Sequence, residues 1–372
     1  MPDLPQFFSG KKILIMAGGT GGHVFPGLAV AKELAGRGCT VEWLGTSSGI
    51  ENTLVPAAGY TLFISNISGV RGKGVLTLFF APLRIYRAVR EALKTLKKIE
   101  PDMVIGMGGF VAGPGGIAAR IHNIPLVLHE QNAIAGTTNR LLSLFAAKKL
   151  CGFPNVLRGS EFVGNPVRLE IENLPAPEQR FSDRDETLRV LILGGSRGAR
   201  ALNTMVPQAI HKSSFRHKCN IWHQCGGDWA KETSGEYASL GIEAKVEPFI
   251  DDVATALGWA DLVICRSGAL TVAELAAAGV GSILVPYPYA IDDHQTANAR
   301  YLSDAGAAVL KQQSELSPEI MAVLLNELLA DREMLLDMAI SARKAACIGV
   351  AKKFADYCEV LLTRSANAKR ST

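Results

Sequence analysis

The sequence lacks the features that mark secreted, metal-binding and membrane-spanning proteins. It has seven cysteines, an odd number, and no C-x-x-C spacing, so we expect reduced thiols, a cytosolic protein and no zinc site. The N-terminal MPDLPQFFSG has neither a basic segment nor a long apolar core, and it predicts no signal peptide. No apolar run reaches the ~18 residues of a membrane span, so any membrane contact is expected to be peripheral.

A strong excess of one charge is also absent. Lysine and arginine total 39 against 35 aspartates and glutamates, a net charge of +4, and no basic run is interleaved with aromatic residues. The sequence therefore predicts no nucleic-acid partner. With 372 residues, of which 48% are hydrophobic and 20% charged, the composition is typical of a globular protein with two domains.

What the chain does contain is a repeated pattern. Residues 12–34 and 188–210 each run from an apolar segment through Gly-Gly-Thr/Ser-x-Gly into a helical pattern, and residues 101–121 and 261–279 form a second such pair. A loop with so few side chains lets backbone N–H groups and a helix N-terminus approach an anion closely. We therefore expect two similar halves in tandem, with a nucleotide and a second substrate bound in the crevice between them.

Apolar segments alternate with helical ones in both halves, which is typical of βαβ units and a parallel sheet. We predict an α/β fold of two Rossmann-like, doubly wound parallel-sheet domains. The first domain covers residues 1–168, a linker rich in proline and charge covers 169–186, and the second domain covers 187–350. A C-terminal helix over 351–372 is expected to complete the first domain. The predicted strands are Ile13–Met16, Val41–Leu44, Met103–Ile105, Leu126–Leu128, Val190–Leu193, Ile221–Gln224, Leu262–Cys265 and Ser282–Val285.

The first glycine-rich loop ends in a histidine, His23. The loop departs from the G-x-G-x-x-G spacing, and no acid ends the next strand, so NAD binding is not predicted. Two interpretations of His23 remain open: a helix-start histidine bonded to backbone, or a general base that takes a proton from a sugar hydroxyl. The N-terminus of a helix favours neutral imidazole, which suits a base.

A second polar cluster, His129-Glu130-Gln131-Asn132, follows the apolar strand 125–128. Ligands of open α/β sheets bind at such carboxyl ends of strands, although a solvated loop is the alternative. Glu130 is interpreted either as a partner that orients His23 or as a ligand for acceptor hydroxyls. Nearby, residues 106–116 include six glycines, whose entropic cost a close approach to a diphosphate would justify.

The second half offers candidates around two helix starts. Ser267 or Thr271 is predicted to cap the helix 272–278, and Glu274 in its first turn is either an acid favoured by the helix dipole or a ligand of ribose hydroxyls. Gln295 and Asn298 are spaced to share one helix face, where both could reach one sugar. An ordinary surface helix is the alternative.

Residues 70–98 combine an apolar stretch over 75–86 with six basic residues from Arg84 to Lys98. This pattern fits either a core helix with a basic solvent face or a peripheral patch that meets anionic lipid.

Several motifs occur in one order over nearly the whole chain: AGGTGGHVFP, GMGGFVAGPGG, HEQN, GNPVR, GGSRGARALN, CRSGALTVAE and DDHQTANA. This ordered set resembles the bacterial peptidoglycan N-acetylglucosaminyltransferases (the MurG type). The resemblance implies a GT-B fold, in which two domains face a central cleft. It also implies an inverting transfer of GlcNAc from UDP-GlcNAc to the C4 hydroxyl of MurNAc in undecaprenyl-pyrophosphoryl-MurNAc-pentapeptide. The product is the β-1,4-linked, lipid-linked disaccharide precursor of peptidoglycan, and one displacement assisted by a base accounts for the inversion.

The same resemblance implies the partners of the chain. They are the two substrates, the anionic lipid surface on the cytoplasmic face of the inner membrane, where the protein is peripheral, and other cell-wall assembly proteins. No cofactor and no metal is implied, because helix dipoles and backbone donors stabilise the leaving diphosphate in such enzymes.

Site residues follow from the matching motif positions. His23 and Glu130 are the catalytic candidates, and which of them takes the proton stays open. Among the matching donor-binding positions, Arg168 lies near the hinge. The diphosphate is matched by Ser196, Ala269, Leu270 and Thr271. Ribose is matched by Glu274, uracil by Ile250, and GlcNAc by Gln295 and Asn298. The matching acceptor-binding positions are Thr20, Gly21, Gly22 and Asn132. Arg197 and His294 stand where glutamine is usual. Arg197 could add a contact to the diphosphate, and His294 leaves open how the sugar is held beside Gln295.

Two other classes of function remain to be weighed. A sugar-nucleotide epimerase of the same architecture would consume UDP-GlcNAc without a lipid acceptor. A noncatalytic UDP-sugar sensor would bind the nucleotide without turnover.

Overall fold

The computed structural model describes residues 8–65, 81–195 and 197–370, without the side chains of Ala81, Pro82, Ile291 and residues 365–370. The chain divides into two compact units, Met1–Val167 with Gly349–Thr372, and Arg168–Ile348. Each unit contains one sheet, and every strand pairing in the two sheets is parallel. The prediction of two Rossmann-like α/β domains is confirmed.

The first unit contains a seven-stranded sheet in the order β3-β2-β1-β4-β5-β6-β7. Its strands are β1 (Lys12–Met16), β2 (Thr40–Thr46), β3 (Thr61–Ser65), β4 (Met103–Gly106), β5 (Leu126–Glu130), β6 (Lys148–Cys151) and β7 (Glu161–Phe162). Its described helices are α1 (Gly21–Gly36), α2 (Glu51–Ala57), α3 (Ala81–Ile99), α4 (Ala112–Ile121), α5 (Thr137–Leu142) and, at the end of the chain, α15 (Val350–Arg370).

Helix α3 shows why the sequence pattern of residues 70–98 was ambiguous. Ala92, Leu96 and Ile99 pack into the core with strands β1, β2 and β4, so this end of α3 is an ordinary amphipathic helix. At its other end Leu83, Ile85 and Tyr86 are exposed. Residues 75–80 of the predicted apolar patch lie outside the described residues.

Helix α15 packs against α1 within the first unit. Arg37 at the end of α1 forms an ion pair with Asp356 of α15 at 2.7 Å. Phe354, which is fully buried, places its ring centroid 5.9 Å from that of His129 at the end of β5. The last helix therefore supports the strand end that carries the polar cluster.

The second unit contains a six-stranded sheet in the order β10-β9-β8-β11-β12-β13. Its strands are β8 (Leu188–Leu193), β9 (Cys219–Gln224), β10 (Lys245–Glu247), β11 (Leu262–Cys265), β12 (Gly281–Leu284) and β13 (Ala308–Leu310). Its helices are α6 (Leu169–Glu172), α7 (Pro177–Ser182), α8 (Arg200–Lys212), α9 (Ala230–Ser239), α10 (Val253–Trp259), α11 (Ala269–Ala278), α12 (His294–Ser303), α13 (Pro318–Leu329) and α14 (Arg332–Ala345), with 3-10 turns at Gly227–Trp229, Ile291–Asp293 and Gln313–Glu315.

The segment 169–186 carries the two short helices α6 and α7 and is packed as part of the second unit. Arg180 of α7 is buried, and its guanidinium donates to the backbone oxygens of Ala278 (2.7 Å) and Gly279 at the end of α11. These contacts satisfy carbonyl groups that a helix end leaves without intrahelical partners.

All eight predicted strands are present, and the five that were not predicted are β3, β6, β7, β10 and β13. Four of these five are edge strands and β6 adjoins an edge. Central parallel strands are covered on both faces and read as apolar runs, whereas short, half-exposed edge strands do not.

Candidate functional site

The first glycine-rich loop joins β1 to α1 and rests on a buried carboxylate. The N–H of Gly19 donates to Glu51 Oε2 at 2.9 Å. The N–H and Oγ1 of Thr46 both donate to Glu51 Oε1, at 2.8 and 2.7 Å. Glu51 is fully buried, so its charge depends on these donors. Sequence analysis missed this residue.

Glycines surround the Glu51 side chain because it leaves no room for larger residues. A Cβ on Gly18 would lie 2.5 Å from Glu51 Oε1, and one on Gly45 would lie 2.6 Å from Glu51 Cγ. Gly18 and Gly45 therefore make room for the buried Glu51 side chain rather than for a ligand.

His23 lies in the first turn of α1, where it is partly exposed, and its N–H donates to Thr20 O at 3.2 Å. The imidazole packs on the backbone of Gly108, which follows β4. A Cβ on Gly108 would lie 2.6 Å from His23 Cδ2 and 2.8 Å from Nε2, and this glycine has a φ of +100°. Only glycine tolerates both the approach and the backbone conformation.

The neighbouring glycine, Gly109, packs directly on the first loop. A Cβ there would lie 2.6 Å from Gly18 O. Gly115 and Gly116 are crowded in the same way by side chains of Met16 and Leu142. These four glycines of the segment 106–116 thus make room for protein atoms, where sequence analysis had invoked a diphosphate.

Glu130, at the end of β5, is buried and uses both of its oxygens. Oε1 accepts from the N–H of Asn132 at 3.1 Å and from its Nδ2 at 3.3 Å. Oε2 accepts from Gly136 N at 3.0 Å and from Asn139 Nδ2 at 2.9 Å. The carboxylate therefore shapes the loop after β5 and fixes Asn132. Four accepted hydrogen bonds tie both oxygens to the loop that follows β5.

His129 precedes Glu130 on β5 and is fully buried. Its Nε2 lies 2.9 Å from the backbone oxygen of Gly164, and its Nδ1 lies 3.1 Å from Nε2 of Gln131. Burial lowers the pKa of His129 to about 4, so the ring is neutral at physiological pH.

The second glycine-rich loop, between β8 and α8, is held by a carboxamide. Gln224, at the end of β9, accepts from Gly195 N at 2.9 Å and donates to Gly195 O and Pro248 O, both at 3.0 Å. Sequence analysis missed this residue as well. Ser196, the predicted diphosphate ligand in this loop, lies outside the described residues, and Arg197 beside it is exposed.

Helix α11 begins at Ala269, and its N-cap residue is Gly268, which has no side chain to cap it. The prediction that Ser267 or Thr271 caps this helix is wrong. Ala269 and Leu270 are buried in its first turn. Because no side chain caps the helix, its first N–H groups are suited to an anion.

Glu274, further along α11, forms an ion pair with Arg168. Arg168 donates to Glu274 Oε1 from Nη2 at 2.6 Å and from Nε at 3.2 Å. Burial raises the pKa of the Glu274 carboxyl, and the Arg168 guanidinium opposes that shift. The structure thus brings together two of the residues predicted to contact the donor.

Two of the remaining residues predicted to bind the donor are held by local hydrogen bonds. Gln295 of α12 accepts from Tyr287 N at 2.9 Å, and the fully buried Asn298 donates to Ser267 O at 3.2 Å. Ile250 is buried, whereas Phe249 before it is exposed. His294 begins α12. In the described ranges of the chain, no cluster of three or more His, Cys, Asp and Glu residues is arranged to hold a metal ion.

Both halves match one glycosyltransferase family. The profile of the glycosyltransferase family 28 N-terminal domain matches residues 13–150, and that of its C-terminal domain matches residues 189–356. Two relatives, from Saccharophagus degradans and Marinobacter nauticus, carry the name UDP-N-acetylglucosamine–N-acetylmuramyl-(pentapeptide) pyrophosphoryl-undecaprenol N-acetylglucosamine transferase. The first is 54% identical over 95% of this chain and 92% of its own length, and the second is 49% identical over 96% and 98%. A crystal structure of Acinetobacter baumannii MurG superposes with a TM-score of 0.80 at 41% identity, covering 95% of this chain and 99% of that one.

Proposed function

This chain belongs to glycosyltransferase family 28, and we propose that it transfers N-acetylglucosamine from UDP-N-acetylglucosamine to undecaprenyl-pyrophosphoryl-N-acetylmuramyl-pentapeptide. The observation that carries the proposal is the likeness to relatives of that named activity, which extends over both units. The acceptor atom is the C4 hydroxyl of MurNAc, and the configuration at the anomeric carbon inverts.

The second unit binds the donor in this proposal. Glu274, which is paired with Arg168, accepts hydrogen bonds from the ribose hydroxyls. The first turn of α11 and the loop held by Gln224 supply backbone N–H groups for the diphosphate. Ile250 contributes its backbone to uracil, and Gln295 and Asn298 lie near the GlcNAc hydroxyls.

The first unit binds the acceptor and supplies the base. His23 takes this role because it is partly exposed at the start of a helix, whereas both oxygens of Glu130 are occupied by donors of its own loop. Thr20, Gly21, Gly22 and Asn132 surround the acceptor sugar.

The reaction is a single displacement. His23 takes the proton of the acceptor hydroxyl as its oxygen bonds to the anomeric carbon of GlcNAc. The bond from that carbon to the diphosphate oxygen breaks, and UDP leaves with both electrons of the bond. Backbone donors of the second unit stabilise the charge that develops on the leaving diphosphate.

The enzyme reaches its lipid-linked acceptor from the cytoplasmic face of the inner membrane, as a peripheral protein. No helix in the described ranges is both long and apolar enough to cross a bilayer. Support comes from α3, whose exposed Leu83, Ile85 and Tyr86 lie beside Arg84 and Arg87. Apolar and basic side chains on one exposed turn suit an anionic bilayer surface. Other cell-wall assembly proteins are proposed as further partners.

The test of the membrane proposal is sedimentation with vesicles that contain anionic phospholipid. The double variant R84E/R87E is expected to bind them more weakly than the wild type. The matched control is K352E/K353E on α15, which makes the same change in charge at exposed positions elsewhere. Equal binding of the wild type and R84E/R87E would contradict the proposal.

The test of the catalytic proposal follows radiolabelled GlcNAc from its UDP conjugate onto a short-chain analogue of the lipid-linked muramyl pentapeptide. We expect label on the acceptor and equimolar UDP. An acceptor-free control separates the alternatives: epimerisation consumes UDP-GlcNAc there, whereas a sensor binds it without turnover in either reaction.

A further inference from the structure

The carboxamide of Gln131 is oriented by its neighbours. Gly164 offers a carbonyl oxygen to His129 Nε2, so that nitrogen carries the proton of the neutral ring. His129 Nδ1 is then an acceptor, and the group facing it at 3.1 Å must be the NH₂ of Gln131. Asn165 Nδ2 donates to the Gln131 backbone oxygen at 3.0 Å and fixes this residue further.

This orientation leaves the other end of the amide, Oε1, without a donor. Gln131 is only 1% exposed, and in the part of the chain that the structure describes its Oε1 accepts no hydrogen bond. A buried carbonyl oxygen without a donor is unfavourable, and such atoms are rare in folded proteins. The atom therefore calls for a donor that is present in another state of the site.

A catalytic candidate, His23, packs against the same glycine as this oxygen. The position that a Cβ on Gly108 would occupy lies 3.5 Å from Gln131 Oε1 and 2.8 Å from His23 Nε2. Both atoms thus lie close to the same glycine. An Nε2–H on His23 would be a donor of the right kind.

We propose that Gln131 is a positioning residue for His23, whose Oε1 accepts a hydrogen bond from Nε2–H after His23 has taken the proton of the acceptor hydroxyl. Gln131 itself exchanges no proton. The amide stabilises the protonated imidazole, and it opposes the start of α1, which favours the neutral ring. This inference rests on the role of His23 in the proposed function.

Other titratable groups are bonded to the loop before His23 or lie next to Gln131, and the test must hold them constant. They are Glu51 of α2, bonded to the loop before His23, and His129 and Glu130 of β5. The first turn of α1 has no acidic residue. A substitution confined to Gln131 keeps these groups in place.

The experiment titrates His23 by NMR in the full chain labelled at histidine Cε1, without substrates. The His23 signal is assigned by its loss in H23A. Q131M, which keeps the length of the side chain and removes the amide, is expected to lower the pKa of His23 by about one unit. Q131E, which keeps an acceptor oxygen, is expected to raise it. The matched control Q224M, in the other unit, should leave it unchanged.

A pKa of His23 that is the same in the wild type, Q131M and Q131E would overturn the inference. If Q131M does not fold, the increase in Q131E decides alone. The transfer assay supplies a second readout: in Q131M the acid limb of kcat/KM should move to lower pH with an unchanged KM for UDP-GlcNAc. The titration needs no turnover, so it can be carried out even if the chain does not catalyse the proposed transfer. An unchanged pKa of His23 would therefore count against the inference alone.

Discussion

The two glycine-rich loops look alike in sequence, but different side chains hold them. The first loop donates Gly19 N–H to the carboxylate of Glu51. The second donates Gly195 N–H to the carboxamide of Gln224, which also returns a hydrogen bond to Gly195 O. One loop therefore lies on a buried negative charge and the other on a neutral group.

This difference bears on which ligand each loop can hold. A diphosphate beside the first loop would face the charge of Glu51 through a medium of low dielectric constant, and Gly19 N–H is already used. The second loop carries neither penalty. The comparison supports a diphosphate at the second loop and an uncharged sugar at the first, and it disfavours the earlier expectation that the first loop approaches an anion.

The largest effect is expected at the residue that directly follows each glycine pattern, where the two loops also differ. The first loop leads to His23, and the same position after the second loop is Ala199. H23A makes the first loop resemble the second, and loss of the base should lower kcat by about 10²–10⁴-fold. Calorimetry should give an unchanged Kd for UDP-GlcNAc.

The control for H23A is H122A, which removes an exposed histidine after α4 in the same unit and should retain full activity. A loss of donor binding in H23A that matches its loss of activity would mean that His23 is structural.

Removal of the charge under the first loop should destabilise the protein. In E51Q one oxygen becomes NH₂, so at least one of the three donors from Gly19 and Thr46 loses its acceptor. We expect a loss of about 1–3 kcal/mol, seen as a lower urea midpoint. E91Q, at an exposed site on α3, is the control. An unchanged midpoint in E51Q would show that the buried charge is dispensable.

Sequence alone located the elements that these loops join, because buried parallel strands are apolar runs and His23 directly follows a glycine pattern. It could not locate Glu51 and Gln224, the two side chains that hold the loops. Glu51 is 32 positions from Gly19 and Gln224 is 29 positions from Gly195, and no local pattern records such contacts. The contact between His129 and Gln131 was accessible in principle, because Gln131 directly follows β5 and residues two apart in extended backbone share a face. The role of the glycines at 108 and 109 was misinterpreted, because a close approach by protein atoms and a close approach by a ligand both require a residue without a side chain.

A charge placed under the second loop should weaken donor binding. Q224E puts a carboxylate where Gln224 donates to Gly195 O and Pro248 O, and we expect the Kd of UDP-GlcNAc to rise about tenfold. Q224M removes the amide without adding charge, so the difference between the two variants isolates electrostatics. Uridine, which has no phosphate, should bind both variants equally. A preference of uridine for Q224M as large as that of UDP-GlcNAc would refute the diphosphate assignment.

The smallest effect concerns Glu274, the carboxylate that is proposed to bind the ribose of the donor and that pairs with Arg168. Its pKa is raised by burial and restrained by Arg168, so in R168M the pKa should rise further. Ribose hydroxyls require the carboxylate as acceptor, so protonated Glu274 binds less well and affinity should increase as pH rises through the new pKa.

We expect R168M to bind UDP-GlcNAc about threefold more weakly than the wild type and to recover part of that loss as the pH rises, because a partly protonated carboxyl loses affinity in proportion to its protonated fraction. E274Q is the matched control, since its amide does not titrate and its deficit should be the same at every pH. Calorimetry at a series of pH values provides the measurement. If R168M shows the flat profile of E274Q, then Arg168 acts on the donor directly, and the charge of Glu274 does not depend on it.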